Sequence, residues 1–241
     1  MAVTNFARLI GRSTASRKVV THRKATFTGC YPSRKNNRMV QYESLLERNF
    51  IVLAEADPRI HTYTEQPIPL WWTDGVRTYR TTFDFEITIS KDRKYLVEVK
   101  PLEKVLKYNL DHLYGFVRAA ARKRGYTGLE LWTDREIKAY PRLPNADLVA
   151  AAGTSYVDLS HELAMRSAIA GLAQRSKAFT VKALRAASNL GTHSYRMVIR
   201  FVASGELSPV NPMAPLDDQA LLAIPDTDRQ ATTIAPIQIP N

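Results

Sequence analysis

The stretch Tyr95-Leu96-Val97-Glu98-Val99-Lys100-Pro101 decides the fold of this chain. It is short, apolar and β-branched and it ends at a proline, which predicts a buried strand. Because side chains alternate along a strand, Glu98 and Lys100 lie on one face and Val97 and Val99 on the other. Charged groups on the inner part of a sheet are costly to desolvate unless they are paired or bind an ion. The stretch therefore predicts a polar site inside a sheet-containing core.

Two more acids precede this strand. Asp84 lies in the strand-like segment 82–87, and Glu47 lies in a predicted helix over 41–56. Carboxylates that converge repel one another, and a divalent cation removes that repulsion. Oxygen ligands without nearby His or Cys favour Mg²⁺ or Mn²⁺ over Zn²⁺. The three acids thus predict a site for one or two such ions.

Each of these residues also has an ordinary interpretation. Glu47 alone fits a solvated helix charge, and Glu43 competes with it as the helix acid because it lies one turn earlier on the same face. Glu98 and Lys100 alone fit an ion pair on a structural strand. Glu86 is either a bystander or a support for the site. The ordered set of three acids and a lysine favours the metal site.

The predicted core is α/β and ends near residue 140. Its order is helix, three strands, helix, strand, or αβββαβ. The tryptophan pair Trp71-Trp72 fits hairpin packing better than base stacking. The predicted elements are a helix over 41–56, an edge strand over 61–70, strands over 76–89 and 94–100, a helix over 102–124, a strand over 127–133 and a helical turn over 134–137.

The remaining chain predicts four further regions. Residues 1–40 form a basic arm, 141–154 a linker, 155–215 a helical, winged-helix-like domain, and 216–241 a flexible tail. Within the helical domain, two helices around Gly191-Thr192 resemble a helix-turn-helix. The second is either a recognition helix or a plain packing helix with exposed arginines, and it carries Tyr195, Arg196 and Arg200.

The net charge of +11 is concentrated near the N-terminus. Residues 1–40 hold nine Lys or Arg and no acid, whereas the other 25 basic and 23 acidic residues nearly cancel. Such an arm suits phosphate or an acidic partner, although a solvated tail has the same composition. The predicted DNA contacts are Arg17, Lys18, Arg23, Lys24, Arg34, Lys35 and Arg38.

A single cysteine, Cys30, excludes an internal disulfide and a cysteine-built zinc site. No apolar run reaches the roughly 18 residues that span a bilayer, and no signal peptide is evident. We therefore expect no membrane association and a cytoplasmic, nucleoid-associated location in a bacterial or phage-infected cell.

Five segments in order resemble one family, the TnsA endonuclease subunit of heteromeric transposases, within the PD-(D/E)XK nuclease superfamily. The resemblance covers about residues 40–140. Phe83 stands where the superfamily name has proline, and some relatives carry Gln at the position of Glu98. The segments are Tyr42–Arg48, Asp57-Pro58, Glu65-Gln66-Pro67, Thr82–Phe85 and Val97–Pro101.

The resemblance implies a role for each matching residue. Glu47 is the helix acid, Asp84 and Glu98 are the metal ligands, Lys100 is the catalytic lysine and Gln66 is an auxiliary polar residue. The carbonyl of Val99 completes the ligands of an Mg²⁺ or Mn²⁺ ion, and Glu47 holds a second ion or its water.

The function expected from this resemblance is Mg²⁺-dependent cleavage of double-stranded DNA at the 5′ ends of a transposon. Partners would be a second transposase subunit and an ATPase regulator. Two alternatives remain: a related nuclease for phage DNA processing or defence, and a non-catalytic DNA-binding assembly protein with the same fold.

Overall fold

A computed structural model describes residues 14–15, 27–152 and 158–225. The chain divides into two compact units, Met1–Glu55 with Arg59–Ala139, and Ala56–Pro58 with Tyr140–Asn241. The elements of the first unit are β1 (Gly29–Ser33), β2 (Arg38–Tyr42), α1 (Leu45–Ala56), β3 (Thr62–Glu65), β4 (Leu70–Thr73), β5 (Thr78–Thr81), β6 (Phe85–Ser90), β7 (Arg93–Val99), α2 (Leu102–Lys107), α3 (Leu110–Lys123), β8 (Gly128–Trp132) and α4 (Asp134–Ile137).

A four-stranded sheet in the order β3-β6-β7-β8 forms the centre of the first unit. The β3–β6 and β6–β7 pairs are antiparallel, whereas β7 and β8 are parallel. A parallel pair needs a crossover connection, which α2 and α3 provide. The mixed sheet and its helices confirm the predicted α/β class.

Helices α1 and α3 both pack on the sheet, α1 through aromatic rings and α3 through a mixed apolar cluster. The ring of Phe50 on α1 lies 4.9 Å from Phe85 and 5.4 Å from Trp132. On the alternate residues of β7 and β8, Leu96 and Leu129 join a core cluster with α3. Burial on both sides explains why the second half of β7 reads as a continuous apolar run around Glu98.

Three predicted elements are each interrupted. The extended segment 61–70 splits into β3 and β4, since prolines at 67 and 69 cannot donate to a ladder. The long strand over 76–89 splits into β5, which pairs with β4, and β6, which joins the main sheet. The helix over 102–124 breaks before α3, where Asn109 has left-handed φ 48° and ψ 47°.

Three predicted region boundaries also differ. Residues 29–40 of the predicted arm belong to the β1–β2 hairpin, and 1–13 and 16–26 lie outside the described residues. The predicted linker over 141–154 is largely a helix, because its Pro144 falls in the first turn, where proline is tolerated. In the predicted tail over 216–241, Leu216 is buried and 221–223 form a strand, while 226–241 lie outside the description.

The elements of the second unit are α5 (Arg142–Ala152), α6 (Leu159–Ala173), β9 (Ala178–Thr180), α7 (Val181–Ser188), a 3₁₀ turn (Gly191–His193), α8 (Ser194–Ala203), β10 (Ser208–Pro209) and β11 (Leu221–Ala223). Its three strands form a small antiparallel sheet in the order β10-β11-β9. Most of α8 is buried, and its Tyr195 hydroxyl donates to the carbonyl of Leu216 at 2.5 Å. Much of α8 therefore serves packing, with Arg196 left exposed.

No helix within the described ranges is long and apolar enough to cross a lipid bilayer.

Candidate active site

Neighbouring strands bring Asp84, Glu98 and Lys100 together. Asp84 immediately precedes β6, and Lys100 immediately follows β7. The antiparallel register pairs Phe85 with Val97, so the next pair outward is Asp84 with Glu98, on the same face. The sheet therefore fixes the spacing of these charged groups through its backbone.

The ammonium group of Lys100 lies between the two carboxylates. Its Nζ is 2.7 Å from Oε1 of Glu98 and 3.1 Å from Oδ2 of Asp84. The same Oδ2 accepts a hydrogen bond from the Val99 N–H at 2.8 Å. Both acids are more than nine-tenths buried, whereas the Lys100 side chain is 32% exposed, so the cluster is two desolvated carboxylates joined to a cation that reaches the surface.

Glu47 approaches this cluster from the first turn of α1. Ser44 caps the helix by accepting the Glu47 N–H at 3.1 Å. The Glu47 carboxylate in turn accepts the Glu43 N–H at 2.7 Å and the Ser44 hydroxyl at 3.1 Å. Glu47 thus has a capping role that fixes its side chain, as in a capping box.

Electrostatics connect Glu47 to the other charged residues of the cluster. Burial and then the charge of Asp84 raise the pKa of Glu47 to about 7, against the opposing effects of its hydrogen bonds and of Lys100. An isolated carboxyl group that is only buried would show the first effect alone. The Asp84 contribution places Glu47 in the electrostatic field of the cluster.

Glu98 is in a similar environment. Burial and the charge of Asp84 raise its pKa to about 7, while Lys100 and the hydroxyl of Tyr114 lower it. Its Oε2 is buried and has no hydrogen-bond partner among the described residues. Burial alone would lower the pKa of Lys100, but the two carboxylates outweigh burial and raise it above its ordinary value. Lys100 is therefore a persistent cation at neutral pH.

The donor set fits a small divalent cation. In the part of the chain that the structure describes, no three His, Cys, Asp or Glu side chains lie close enough to form a metal-binding group. Mg²⁺, however, is usually held by one or two carboxylates together with water and substrate phosphate. The Oε2 atom of Glu98 has no hydrogen-bond partner among the described residues and is an oxygen donor suited to such an ion. Asp84 and Glu98 also carry more negative charge than the single ammonium group of Lys100 balances.

Comparison of the sequence with models of known protein families and with curated proteins finds no match.

The other predicted site residues lie beside the cluster or away from it. Gln66 is buried with positive φ, 46°, and its N–H donates to the Asp84 carbonyl at 2.9 Å, so it supports the backbone at Asp84. Glu86 is away from the cluster, because it accepts from the Tyr126 hydroxyl at 2.8 Å. For Val99 the structure shows the N–H bond to Asp84, and the ligand role of its carbonyl stays a prediction.

Tyr114 is the residue that sequence reasoning missed. It lies on α3 and packs edge-on against Phe83 at 6.3 Å, and its hydroxyl helps to lower the pKa of Glu98. Its position four residues after Leu110 and three before Val117 is the periodic signal that marks the buried face of a helix. That signal identifies a core residue, but only the fold brings its hydroxyl to Glu98.

The predicted DNA contacts have mixed outcomes. Arg38 is wrong as a surface contact, because it is 8% exposed and its guanidinium is paired with Glu65 at 2.6 Å. Lys35 donates from Nζ to the Ile60 carbonyl at 2.6 Å, and Arg34 is exposed. The other four contacts lie outside the described residues: Arg17, Lys18, Arg23 and Lys24.

Proposed function

We propose that this protein is a metal-dependent DNA endonuclease of the PD-(D/E)XK type, similar to TnsA. The observation that carries the proposal is the contact of Lys100 with the buried carboxylates of Asp84 and Glu98, in which one carboxylate oxygen of Glu98 has no partner. A purely structural cluster gains nothing from an uncompensated buried oxygen, since its desolvation is costly. A site that binds a cation and a phosphate uses such an oxygen as a ligand of the cation.

Each residue of the cluster has a chemical role in this proposal. Asp84 and Glu98, with the Val99 carbonyl, would hold a Mg²⁺ or Mn²⁺ ion, and Glu47 would hold a second ion or its water. When bound, the ion supplies a Lewis acid that polarises the phosphate and lowers the pKa of water. Lys100, protonated at neutral pH, orients the attacking water and offsets charge on the phosphoryl oxygens.

The reaction is hydrolysis of a phosphodiester. The water oxygen bonds to phosphorus, the bond from phosphorus to the 3′ oxygen breaks, and that oxygen takes up a proton. The products are a 5′ phosphate and a 3′ hydroxyl. Because the pKa of Lys100 is raised, its ammonium serves better as an electrostatic group than as a general base.

The architecture of both units supports the proposal. In the first unit, α1, three strands of the main sheet, the α2–α3 crossover and β8 follow the αβββαβ order of a restriction-endonuclease-like core. In the second unit, the succession α6, β9, α7, α8, β10, β11, with its three-stranded sheet, is the order of a winged helix. We propose these two domain types on that basis.

The biological setting proposed is cleavage at the 5′ ends of a transposon, with a partner transposase and an ATPase regulator. It depends on the motif series around Glu47, Gln66 and Asp84. A nuclease of a phage or defence system would use the same cluster, so identification of the partner proteins distinguishes these settings.

Plasmid cleavage tests the enzymatic proposal. We expect the wild type to cut DNA with Mg²⁺ or Mn²⁺ and not with EDTA, and Asp84→Ala and Glu98→Gln to lose at least about 100-fold in rate. The matched control is Glu130→Gln, because Glu130 is a buried acid on β8 paired with Val97, on the face opposite Glu98.

The outcomes separate catalysis from binding. Full cleavage by Asp84→Ala or Glu98→Gln removes the site assignment. A wild-type protein that binds DNA but cuts with neither cation supports the non-catalytic assembly protein instead. Equal losses in Glu130→Gln and Glu98→Gln would show that any buried acid of the sheet has the same effect.

A further inference from the structure

The β4–β5 hairpin has a buried inner face that fixes it to the first unit. Its register pairs Trp72 with Tyr79, and their rings stack at 4.4 Å. Trp72 is 6% exposed, and its Nε1 donates to the Thr81 hydroxyl at 2.9 Å. Leu70 and Trp72 belong to the same core cluster as α3. The hairpin is therefore held rigidly.

The outer face of the same hairpin is both aromatic and cationic. Trp71 is 54% exposed and lies directly across the strand pair from Arg80, which is also exposed. Arg77 is also exposed, in the turn of the hairpin, and within the described ranges neither arginine has an ion-pair partner. The combination of an uncovered indole with unpaired guanidinium groups is suited to a polyanion that also offers apolar surface.

Asp74 is the one acid of the hairpin, and its hydrogen bonds are made within the hairpin. The carboxylate of Asp74 accepts the N–H groups of Val76 and Arg77, both at 2.8 Å, and the Tyr79 hydroxyl at 2.8 Å. These donors lower the pKa of Asp74 and hold the turn, in which Gly75 has φ 93°. The Asp74 carboxylate is thus occupied by hydrogen bonds within the hairpin, and Arg77 and Arg80 are its exposed charged side chains.

The hairpin lies next to the acid cluster along the chain. Arg80 is four positions before Asp84, so their Cα atoms are at most about 14 Å apart, given a reach of roughly 3.5 Å per residue. Base pairs of duplex DNA repeat every ~3.4 Å, so this reach corresponds to about four base pairs. A duplex with one phosphate at Asp84 and Glu98 therefore passes within reach of Arg80.

We propose that the outer face of the β4–β5 hairpin binds duplex DNA beside the bond to be cut, an inference that rests on the proposed endonuclease function. Arg77 and Arg80 contact backbone phosphates, and Trp71 lies against sugars and base edges. A two-stranded β-ribbon fits the major groove, and arginine is the residue best suited to phosphate. The hairpin then positions the duplex for the cluster.

The test is the salt dependence of duplex binding by fluorescence anisotropy, with the full chain in EDTA so that no cleavage occurs. We expect the double variant Arg77→Ala/Arg80→Ala to lower the slope of log K against log[salt] by about 1.8, since each lost phosphate contact contributes roughly 0.9. Trp71→Ala should weaken binding at every salt concentration and leave the slope unchanged.

A matched control removes two cations from another hairpin turn. Lys91 and Arg93 are exposed in the β6–β7 turn, at the opposite end of strands that start beside Asp84, about 20 Å away at ~3.3 Å per residue. Lys91→Ala/Arg93→Ala should keep the wild-type slope. If both double variants change the slope equally, the effect is net charge and the hairpin proposal is overturned.

The remaining outcomes separate this inference from the endonuclease proposal. If the wild type binds and cuts DNA and the hairpin variants bind like the wild type, the hairpin inference fails alone; an apolar protein partner for Trp71 would then be sought. If binding depends on the hairpin but no metal supports cutting, the endonuclease proposal fails and the hairpin proposal stands. A wild type that does not bind duplex DNA overturns both.

Discussion

Arg38 and Glu65 form a buried ion pair in which both terminal nitrogens of the guanidinium group, Nη1 and Nη2, take part. The contacts are 2.8 Å from Nη1 to Oε1 and 2.6 Å from Nη2 to Oε2, and Glu65 is 1% exposed. Nη1 also donates to the Met39 carbonyl at 3.1 Å. Removal of one partner of such a pair leaves the other charge buried and uncompensated, which is strongly destabilising.

We therefore expect Arg38→Ala to lower the free energy of unfolding by about 3–5 kcal/mol. The control Arg34→Ala, an exposed arginine in the neighbouring turn, should change it by no more than about 0.5 kcal/mol. Urea denaturation followed by tryptophan fluorescence measures both. Equal effects of the two substitutions would contradict the structural role of Arg38.

Residue identities predicted the acid cluster better than they predicted this pair. Glu98 and Lys100 share a strand face by alternation, and Asp84 lies in a second strand that pairs with it, so local pattern carries the information. Arg38 and Glu65 are 27 residues apart, and nothing near either residue signals its partner. A basic residue in a basic segment therefore resembled a DNA contact.

At the scale of elements, the break between α2 and α3 shows what periodicity cannot detect. Apolar residues continue in helical spacing from Leu102 to Val117, which predicts one helix. The chain instead takes a left-handed residue at Asn109, whose side chain makes no capping hydrogen bond. Asn occupies that conformation at low cost, so the break leaves only a weak signal.

Substitutions at Asn109 test this conformation. Asn109→Ala should be less stable than Asn109→Gly by about 1–2 kcal/mol, because Ala keeps a Cβ that meets the following carbonyl oxygen in the left-handed region and Gly has none. Asn109→Gly should be neutral or nearly so, since no cap bond is lost. Thermal unfolding by circular dichroism measures the difference. Equal stability of the Ala and Gly variants would contradict the left-handed assignment.

The strand predicted over 76–89 also differs from the structure, which divides it in two. The sequence from Val76 to Ile89 is compatible with one strand, but it contributes to two different sheets. Residues 82–84 turn between them and place Asp84 at the start of β6. Pairing partners distant in sequence decide such a division, and local propensity does not contain them.

For the whole molecule, the acid cluster ties stability to pH. The pKa values of Glu47 and Glu98 are raised to about 7 in the folded protein from 4.5. The folded state therefore binds more protons than the unfolded state between these values, and its stability falls as pH rises through that range. The stabilisation is fully present below about pH 4.5 and is lost as pH passes about 7.

We expect the free energy of unfolding in metal-free buffer to decrease by roughly 1–3 kcal/mol between pH 5 and 8, at about 1.4 kcal/mol per unit of pKa shift. All three tryptophans, Trp71, Trp72 and Trp132, belong to the first unit, so their fluorescence reports on its unfolding. Glu98→Gln should flatten the profile. A profile that rises over this range in the wild type would contradict the assigned directions.

The chain divides into two units, with Ala56–Pro58 and everything from Tyr140 onward in the second. The predicted core ends near residue 140, and the observed units divide between Ala139 and Tyr140. What composition did not reveal is how much of the segment from 141 to 225 is regular structure, since prolines in a first helical turn and short strands both resemble linkers.

Tyr114 connects the packing of the core in the first unit with the ionisation of Glu98 in the acid cluster. Its ring is part of the packed layer between α3 and the sheet, and its hydroxyl belongs to the surroundings of Glu98. Volume-conserving exchange among neighbouring core residues, which proteins tolerate best, here also alters how an acid ionises. Evolutionary change in this layer is thus limited by chemistry as well as by shape.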